Sequence, residues 1–263
     1  MDVPAITVAG LAATPVKGLR LLAASELRLG PDGVAGNRRF YLVDDRGSMV
    51  NGKQLGCLSQ VIPAYDEPTG RLTLRFPDGT EATGPVELGP SVATRFFSRP
   101  APARLVLGPW SDALSAHAGR PLRLVAPAGG RLGVDRGRAG GVTLVSRASV
   151  RRLAEVAGVG ELDIRRFRMS IELDGPTAHA EDGWVDRRLR IGEALVRVRV
   201  RGHVGRCLVT TRDPDTGAVD LPVLDLLRSY RAGSGTTEPL AFGVHAEVLE
   251  PGRVRRGDSV TLV

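Results

Sequence analysis

The stretch ALVRVRVRGHVGRCLVTTRDPDTG, residues 194–217, decides the fold class of this chain. Its first part alternates valine with arginine, so Val196, Val198 and Val200 point to one side of an extended chain and the arginines to the other. This period of two is typical of a half-buried strand, and we expect the valines to face a core and the arginines to face solvent. The glycines at 202 and 205 predict the end of the strand, and DPDTG predicts a tight turn.

The rest of the chain repeats this β pattern. Short runs of β-formers lie between turn signals such as DDRG, DEPTG and PDG. The runs are ITVAGL (6–11), SELRL (25–29), RRFYLVD (38–44), RLTLRF (71–76) and RRLRIG (187–192). The sequence therefore predicts a mainly β fold.

Three stretches have a helical period instead. SRASVRRLAEVAG, residues 146–158, places its apolar side chains on one face and predicts that the helix stops at Gly158. DLPVLDLLRSYR, residues 220–231, predicts a second helix with Asp220 as N-cap and Pro222 in the first turn. A weaker pattern predicts a third helix from Trp110 to Ala118.

The length of 263 residues fits either one large all-β unit or two compact domains. The proline-rich segment SRPAPARLVLGP, residues 98–109, is the candidate interdomain connection. The two cysteines cannot form a disulfide framework, and the sequence contains neither a signal peptide nor an apolar run of the roughly 20 residues that a membrane span needs. We expect a cytoplasmic protein with no membrane segment.

The net charge of +7 comes almost entirely from arginine, since Lys17 and Lys53 are the only lysines. Arginine forks suit phosphates and other oxyanions, so a small anionic ligand is one interpretation, and compositional drift towards arginine is the other. Aromatic residues make up only 4% of the chain, and none alternates with a basic patch. A nucleic-acid-binding surface is therefore not expected.

Cys207 follows an arginine at the predicted strand end, an environment that favours the thiolate that binds metals or attacks sulfur. The alternative is a small buried apolar side chain, which is the interpretation we give Cys57 in KQLGCLSQV. No histidine pair has zinc-site spacing, and the chain has no phosphate loop, GxGxxG or GxSxG motif. Glu181 and Asp182 could serve acid–base chemistry, but we expect solvated acids beside a turn.

Eight motifs in order carry a resemblance to the MOSC-domain proteins that have an N-terminal MOSC β-barrel domain. They are TPVKGL, AGNRRFYLVDDRG, RFRMSIELDG, HAEDGW, RRLRIGEA, GRCLVTTRDPDTG, FGVHAEVLEPG and VRRGDSV. This family includes the C-terminal domains of molybdenum cofactor sulfurases and reductases like the amidoxime reducing component. The resemblance implies β-barrel domains at 1–120 and 121–263, with molybdenum–molybdopterin bound in a cleft between them.

The resemblance also implies roles for residues at the matching positions. Cys207 would coordinate molybdenum, and Lys17, Arg38 and Arg168 would hold the phosphate and pterin of the cofactor. The remaining matched positions, which would line the cofactor, are Ser146 and His245, together with three at which this chain departs from the family: Gly18, Ser170 and Gly205.

Three functions follow as hypotheses. The first is a molybdenum oxidoreductase that reduces N-hydroxylated or N-oxide small molecules and receives electrons from a separate ferredoxin or flavoprotein. The second is a sulfurtransferase that carries a persulfide on Cys207, supplied by a cysteine desulfurase. The third is a binding module without a cofactor.

Overall fold

The computed structural model describes residues 5–96, 99–130 and 141–263, and they form a mostly β protein with three α-helices among the described residues. In chain order the strands are β1 (Ile6–Ala13), β2 (Leu22–Ala23), β3 (Glu26–Gly30), β4 (Gly33–Val34), β5 (Tyr41–Val43), β6 (Met49–Val50), β7 (Ile62–Asp66), β8 (Arg71–Arg75), β9 (Glu81–Pro85), β10 (Glu87–Val92), β11 (Arg95–Phe96), β12 (Arg99–Pro100), β13 (Ala103–Leu107), β14 (Arg123–Pro127), β15 (Val142–Ser146), β16 (Ile171–Asp174), β17 (Arg188–Ile191), β18 (Ala194–Gly205), β19 (Ala241–Glu250), β20 (Gly252–Arg255) and β21 (Ser259–Leu262).

The helices are α1 (Trp110–Ala118), α2 (Arg147–Ala157) and α3 (Val223–Arg231), and the short 3₁₀ helices are Gly56–Gln60, Ala128–Gly130, Ile164–Phe167, Ala180–Trp184 and Leu208–Thr211.

Seven strands close into a β-barrel. Their order is β16-β15-β19-β18-β17-β21-β1, and β1 pairs back onto β16 to complete the circle. The pairs are antiparallel except for the parallel β15–β16 pair. Closure removes the unpaired edges of the sheet, which would otherwise be open to aggregation. The interior is filled by apolar side chains, including those of Val8, Leu11, Leu144, Ile171 and Val196.

The N-terminal half has a separate core. A five-stranded sheet, β10-β13-β14-β5-β6, and the meander β7-β8-β9 enclose the apolar side chains of this half, with α1 packed among them. Trp110 of α1 is fully buried, and its indole N–H donates to the carbonyls of Leu72 and Ala82. Burying the ring is tolerated because its only donor is satisfied.

The two halves exchange strands. β1 belongs to the C-terminal barrel, whereas β3, which also pairs with β4, pairs with β20 from near the opposite end of the described chain. β14 lies beyond residue 120 and pairs with β5 and β13 of the N-terminal sheet. The division into 1–120 and 121–263 stays a prediction, and these pairings show that the halves interleave.

All three helices were predicted, but one cap was wrong. Ser146 caps α2 by accepting from the Ser149 N–H, and Gly158 ends the helix with a φ of 68°. At α3 the capping position falls on Pro222 and not on Asp220. The Asp220 carboxylate instead forms two hydrogen bonds with the guanidinium of Arg166.

Two further expectations were wrong in part. The alternation of residues 196–201 holds through Val198, but Val200 is 64% exposed because the pairing of β18 with β19 shifts register between Val198 and His203. β18 also runs on to Gly205 instead of breaking at the first glycine. The proline-rich segment, whose Ser98 lies outside the described residues, contains β13, a middle strand of the five-stranded sheet, and is not a connection.

Barrel closure by β1 predicts a large penalty for weakening that strand. Leu11 is 3% exposed in the barrel core, so Leu11→Ala should lower the free energy of unfolding by about 2–5 kcal/mol through the cavity it leaves. The matched control Val200→Ala, on the exposed part of β18, should change it by no more than about 0.5 kcal/mol. Denaturant unfolding of both variants checks this, and equal effects would contradict the role of β1.

Candidate functional site

A cavity of about 690 Å³ lies between the N-terminal half and the barrel, with walls from both. Its size is within the range of small-molecule and cofactor sites. The cationic residues of its wall are Lys17, Arg38, Arg99, Arg165, Arg166, Arg168, Arg206 and Arg212, and the acidic ones are Asp213 and Glu238. The excess of cations in the wall favours an anionic ligand.

Cys207 lies in this wall at the start of the 3₁₀ helix Leu208–Thr211. Its side chain is exposed, and its carbonyl accepts from both the N–H and the hydroxyl of Thr210, each at 3.0 Å. The preceding residue, Arg206, donates to the carbonyls of Phe167 and Phe242. The backbone on both sides of the thiol is therefore fixed, and the sulfur itself is accessible.

Lys17 reaches the cavity from the segment that follows β1, and Arg38, which follows β4, is hydrogen-bonded to that segment. The Lys17 N–H donates to Phe40 O at 2.8 Å, and the Arg38 N–H donates to Thr14 O at 2.6 Å. The ammonium of Lys17 lies 5.3 Å from the centre of the Phe96 ring, a cation–π contact. The strand that closes the barrel therefore also sets the position of this part of the wall.

Arg38 and Arg168 have left-handed backbone conformations and bond across the boundary between the halves. Their φ angles are 53° and 52°, a region that costs a non-glycine residue roughly 1–2 kcal/mol. Nη2 of Arg38 donates to Arg168 O at 3.1 Å, and Nη2 of Arg168 donates to Leu19 O at 2.6 Å. Backbone strain of this kind persists where surrounding contacts enforce it and is concentrated at functional sites.

The structure brings most of the sequence-predicted site residues together. The predicted residues in the cavity wall are Lys17, Gly18, Arg38, Arg168, Gly205 and Cys207. Gly18 has a φ of 96°, and a Cβ there would lie 3.2 Å from the Asn51 Cα, so the position requires glycine. Six of nine positions predicted from one resemblance thus share one cavity.

The other three lie outside its wall. Ser146 is fully buried as the cap of α2. Ser170 is buried behind Thr143, whose hydroxyl accepts from the Ser170 N–H at 2.8 Å, and it is Thr143 that lines the cavity. His245 is half-buried on β19, opposite Thr143 in the ladder. Their cofactor contacts stay predictions.

The DPDTG turn, residues 213–217, joins the two halves beside the cavity. Oδ1 of Asp213 accepts from the N–H groups of Asp215 and Thr216, which closes the turn on itself. Asp215 forms ion pairs with Arg20 of the N-terminal half at 3.2 Å and with Arg165 at 2.6 Å. We call residues 213–217 the clasp.

Two glycines allow the clasp to lie against the N-terminal half. A Cβ on Gly217 would lie 2.0 Å from Gly56 O, and a Cβ on Gly56 would lie 2.1 Å from Gly217 O. The φ of Gly217, 75°, also favours glycine. Nε2 of Gln60 donates to Thr216 O at 2.9 Å next to this contact. Backbone therefore packs on backbone at the edge of the cavity.

Several residues of the wall were missed from the sequence. Arg165 and Arg166 were seen only as part of the arginine excess, although their hydrogen bonds to the carboxylates of Asp215 and Asp220 raise their pKa values and hold both as cations. A signal was present in DIRRF, where Asp163 caps the 3₁₀ helix that presents both arginines. Arg165 also pairs with Asp163 at 2.6 Å, but Asp215 and Asp220 lie about 50 residues further along the chain, which no local pattern indicates.

The expectation of two solvated acids in HAEDGW was wrong. Glu181 is fully buried, and its Oε1 accepts from the Ser146 N–H at 3.1 Å and the Ser149 hydroxyl at 2.7 Å. Burial raises the pKa of this carboxyl. Asp182 is 18% exposed and paired with Arg231 at 2.5 Å. Glu181 thus contacts the start of α2, Asp182 contacts α3, and both lie outside the cavity wall.

Within residues 5–96, 99–130 and 141–263, no group of three or more His, Cys, Asp or Glu side chains could hold a metal ion. In the same ranges no helix is both long and apolar enough to cross a bilayer. The geometry thus defines a class: a two-part β protein with a cation-lined cavity at the boundary and one accessible thiol in its wall.

Comparison with known proteins gives the family. The family models "MOSC N-terminal beta barrel domain" and "MOSC domain" match residues 5–103 and 133–261. Mitochondrial amidoxime-reducing component 1 of Danio rerio is 30% identical over 272 residues, covering 93% of this chain and 80% of that protein. The chain belongs to the MOSC-domain family whose members carry an N-terminal MOSC β-barrel domain, which confirms the resemblance.

Two mammalian relatives match a shorter part of the chain. Mitochondrial amidoxime-reducing component 1 of Mus musculus is 37% identical over 37% of this chain, and mitochondrial amidoxime reducing component 2 of Homo sapiens is 36% identical over 38% of it. These alignments span 29% and 30% of the two proteins.

The clasp should contribute to the stability of the fold near neutral pH, and this contribution should be lost in acid. Hydrogen bonds from Arg165 hold the pKa of Asp215 below its usual 3.8, and the Thr216 N–H does the same for Asp213. A carboxyl with a lowered pKa in the folded state stabilises the fold above its unfolded pKa and loses this contribution as the pH falls through the folded value. Asp215→Asn should therefore flatten the fall in melting temperature between about pH 5 and pH 3.

Asp112→Asn, on the first turn of α1, is the control and should keep the steepness of the unmodified protein. If Asp215→Asn keeps it as well, the clasp does not contribute as described.

The two thiols should differ in reactivity. Burial raises the pKa of Cys57, which is only partly exposed, whereas Cys207 is exposed in a cationic wall. Since the thiolate is the reactive form, iodoacetamide at neutral pH should modify Cys207 first. Peptide mass spectrometry over time checks the order, with Cys207→Ser and Cys57→Ser as matched variants. Faster modification at Cys57 would reverse the assignment.

Proposed function

We propose that this protein is a molybdenum-cofactor-dependent reductase of N-hydroxylated or N-oxide small molecules, with Cys207 as the protein ligand of the metal. The observation that carries the proposal is the accessible Cys207 thiol in the same cavity wall as Lys17, Arg38 and Arg168. The relatives named for amidoxime reduction support the reaction class. The MOSC family is associated with molybdenum cofactor binding, which supports the cofactor.

The donor set of the cavity fits this cofactor. A thiolate is a soft ligand that suits molybdenum, and guanidinium forks suit the phosphate of molybdopterin. Because the cavity wall offers one thiol and the described residues no cluster of three metal-binding side chains, the other ligands would come from the cofactor's own sulfur atoms. When bound, the cofactor supplies the two-electron chemistry that cleaves an N–O bond.

The residues of this chain would bind the cofactor and orient it. Arg38 and Arg168 each commit one N–H to a carbonyl across the boundary, which fixes the direction of the guanidinium groups before any ligand enters. Preorganised cations stabilise an anion without a reorganisation cost at the time of binding. The clasp fixes the distance between the N-terminal cations and Cys207.

In this proposal the electrons reach the cavity from a separate protein. Two cysteines cannot ligate an iron–sulfur cluster through the usual four thiolates, and no dinucleotide-binding fingerprint is present. The donor is a ferredoxin or flavoprotein in this proposal. Its acidic surface would be attracted by the arginine-rich rim, at a rate that falls as salt concentration rises.

The exposure of Cys207 also favours the second candidate, a sulfurtransferase. A persulfide on an accessible sulfur could be received from a cysteine desulfurase and passed to an acceptor held by the same arginines. Both candidates need a reduced thiol. The cytoplasm is the proposed location, supported by two cysteines that form no disulfide in the structure.

Cys207→Ala should remove the metal ligand. The unmodified protein, purified from a molybdenum-sufficient host, should contain molybdenum and reduce an N-hydroxylated substrate with reduced viologen as electron source. The variant should lose at least about 100-fold in activity, since a soft ligand is not replaced by water. Elemental analysis and a steady-state assay measure the two effects, and circular dichroism checks the fold.

Cys57→Ala is the matched control and should keep both properties. Activity retained by Cys207→Ala would contradict the ligand assignment. Absence of molybdenum together with a persulfide on Cys207 of the unmodified protein would favour the sulfurtransferase.

A further inference from the structure

One acidic group in the cavity wall is not used by the surrounding arginines. Of the two acids there, Asp213 is occupied by the Asp215 and Thr216 N–H groups of the clasp. The backbone carbonyl of Glu238 accepts from the Thr236 hydroxyl at 3.1 Å, whereas among the described residues its carboxylate has no hydrogen-bond or ion-pair partner. In a wall rich in arginine, a carboxylate is expected to pair with a guanidinium group, and Glu238 is an exception.

Glu238 is nevertheless held in place. Two residues further on, the Leu240 carbonyl accepts from the Arg206 N–H at 3.2 Å, and on the other side the Thr237 N–H donates to Nδ1 of His203 at 3.1 Å. The His203 side chain is 5% exposed, and its Nε2 lies 4.0 Å from the Asp182 carboxylate. The backbone of Glu238 thus lies between two anchors.

These anchors bring the carboxylate close to the thiol segment. Gly205 pairs with Ala241 in the β18–β19 ladder and precedes Cys207 by two residues. A Cβ on Gly205 would lie 3.4 Å from both Cβ and Oε2 of Glu238. The Glu238 side chain therefore lies beside Gly205, and both residues belong to the cavity wall.

An unpaired carboxylate repels an anion next to it, so Glu238 weakens the binding of an anionic ligand. Its position suits a second, positively charged molecule in the same cavity. We propose that Glu238 is a specificity-determining residue that binds a positively charged, planar N–H group of the substrate, such as an amidinium or guanidinium. Carboxylates recognise such groups through paired charge-assisted hydrogen bonds. The cavity then prefers N-hydroxylated substrates with this group over neutral N-oxides. That an N–O bond of the substrate is reduced rests on the proposed function, whereas the charge preference does not.

Benzamidine tests the charge preference without chemistry, because it has an amidinium and no N–O bond. Calorimetric titration of the full chain should show binding that Glu238→Gln weakens about tenfold or more, the cost of losing one hydrogen bond to a charged group. Glu238→Asp, which keeps the charge, should bind more tightly than Glu238→Gln. Glu87→Gln, in β10 and outside the cavity wall, is the matched control and should bind like the unmodified protein.

Neutral benzamide should bind equally to all four proteins, and melting temperatures should agree because Glu238 has no partner to lose. Equal benzamidine binding by Glu238→Gln and the unmodified protein, or no binding by either, would overturn the inference.

A second measurement separates this inference from the proposed function. With reduced viologen, Glu238→Gln should raise KM for an N-hydroxyguanidine about tenfold and leave KM for a neutral N-oxide unchanged. Glu238-dependent benzamidine binding without any reduction would support the cation site and contradict the reductase. Reduction with the same substrate preference in Glu238→Gln would support the reductase and overturn the role of Glu238.

Discussion

The pairing of β1 with β16 and β21 is the interaction on which the rest of the structure depends. Without it the barrel is an open six-stranded sheet with two edges, and its core of valine, leucine and isoleucine has no lid on one side. The same strand leads directly into the segment that presents Lys17 and receives the Arg38 N–H. The strand that closes the barrel core therefore also positions the cationic wall. A chain that leaves a fixed strand cannot travel far in four residues.

The two left-handed arginines show how the site uses the interleaved halves. Glycine would adopt their backbone conformation at no steric cost, but glycine cannot carry a guanidinium to a carbonyl of the other half. Arg38 and Arg168 each accept the unfavourable φ and gain a charge-assisted bond across the boundary. The reciprocal arrangement means that shifting either half would break both bonds. The strain is thus held by the packing of the halves and not by local sequence.

Much of the fold was readable from local patterns. Alternation identified the strands, and apolar periodicity with a serine cap and a stopping glycine identified α2, because these signals depend on neighbours within one element. The resemblance placed Lys17, Arg38, Arg168 and Cys207 in one cleft, and these four do share a cavity.

The errors fall where distant contacts decide. Asp220 has the sequence of an N-cap, but the guanidinium of Arg166 offers two charged donors in place of one backbone N–H. Val200 follows the alternation of its strand, but a register shift against β19 turns it to solvent. Glu181 is acidic and lies beside a turn, yet the serines at the start of α2 supply donors that permit its burial. Each outcome is set by a partner about 30 or more residues away, which periodicity cannot reveal.

The charge of the cavity also depends on contacts between residues that are distant in sequence. Net charge alone does not describe it. Arg165 and Arg166 are paired with carboxylates, so much of their field is cancelled close to its source. Arg38 and Arg168 each donate to a backbone carbonyl of the other half, and these bonds orient their guanidinium groups. An arginine-rich composition becomes a directional site only because the fold neutralises some guanidinium groups and orients others.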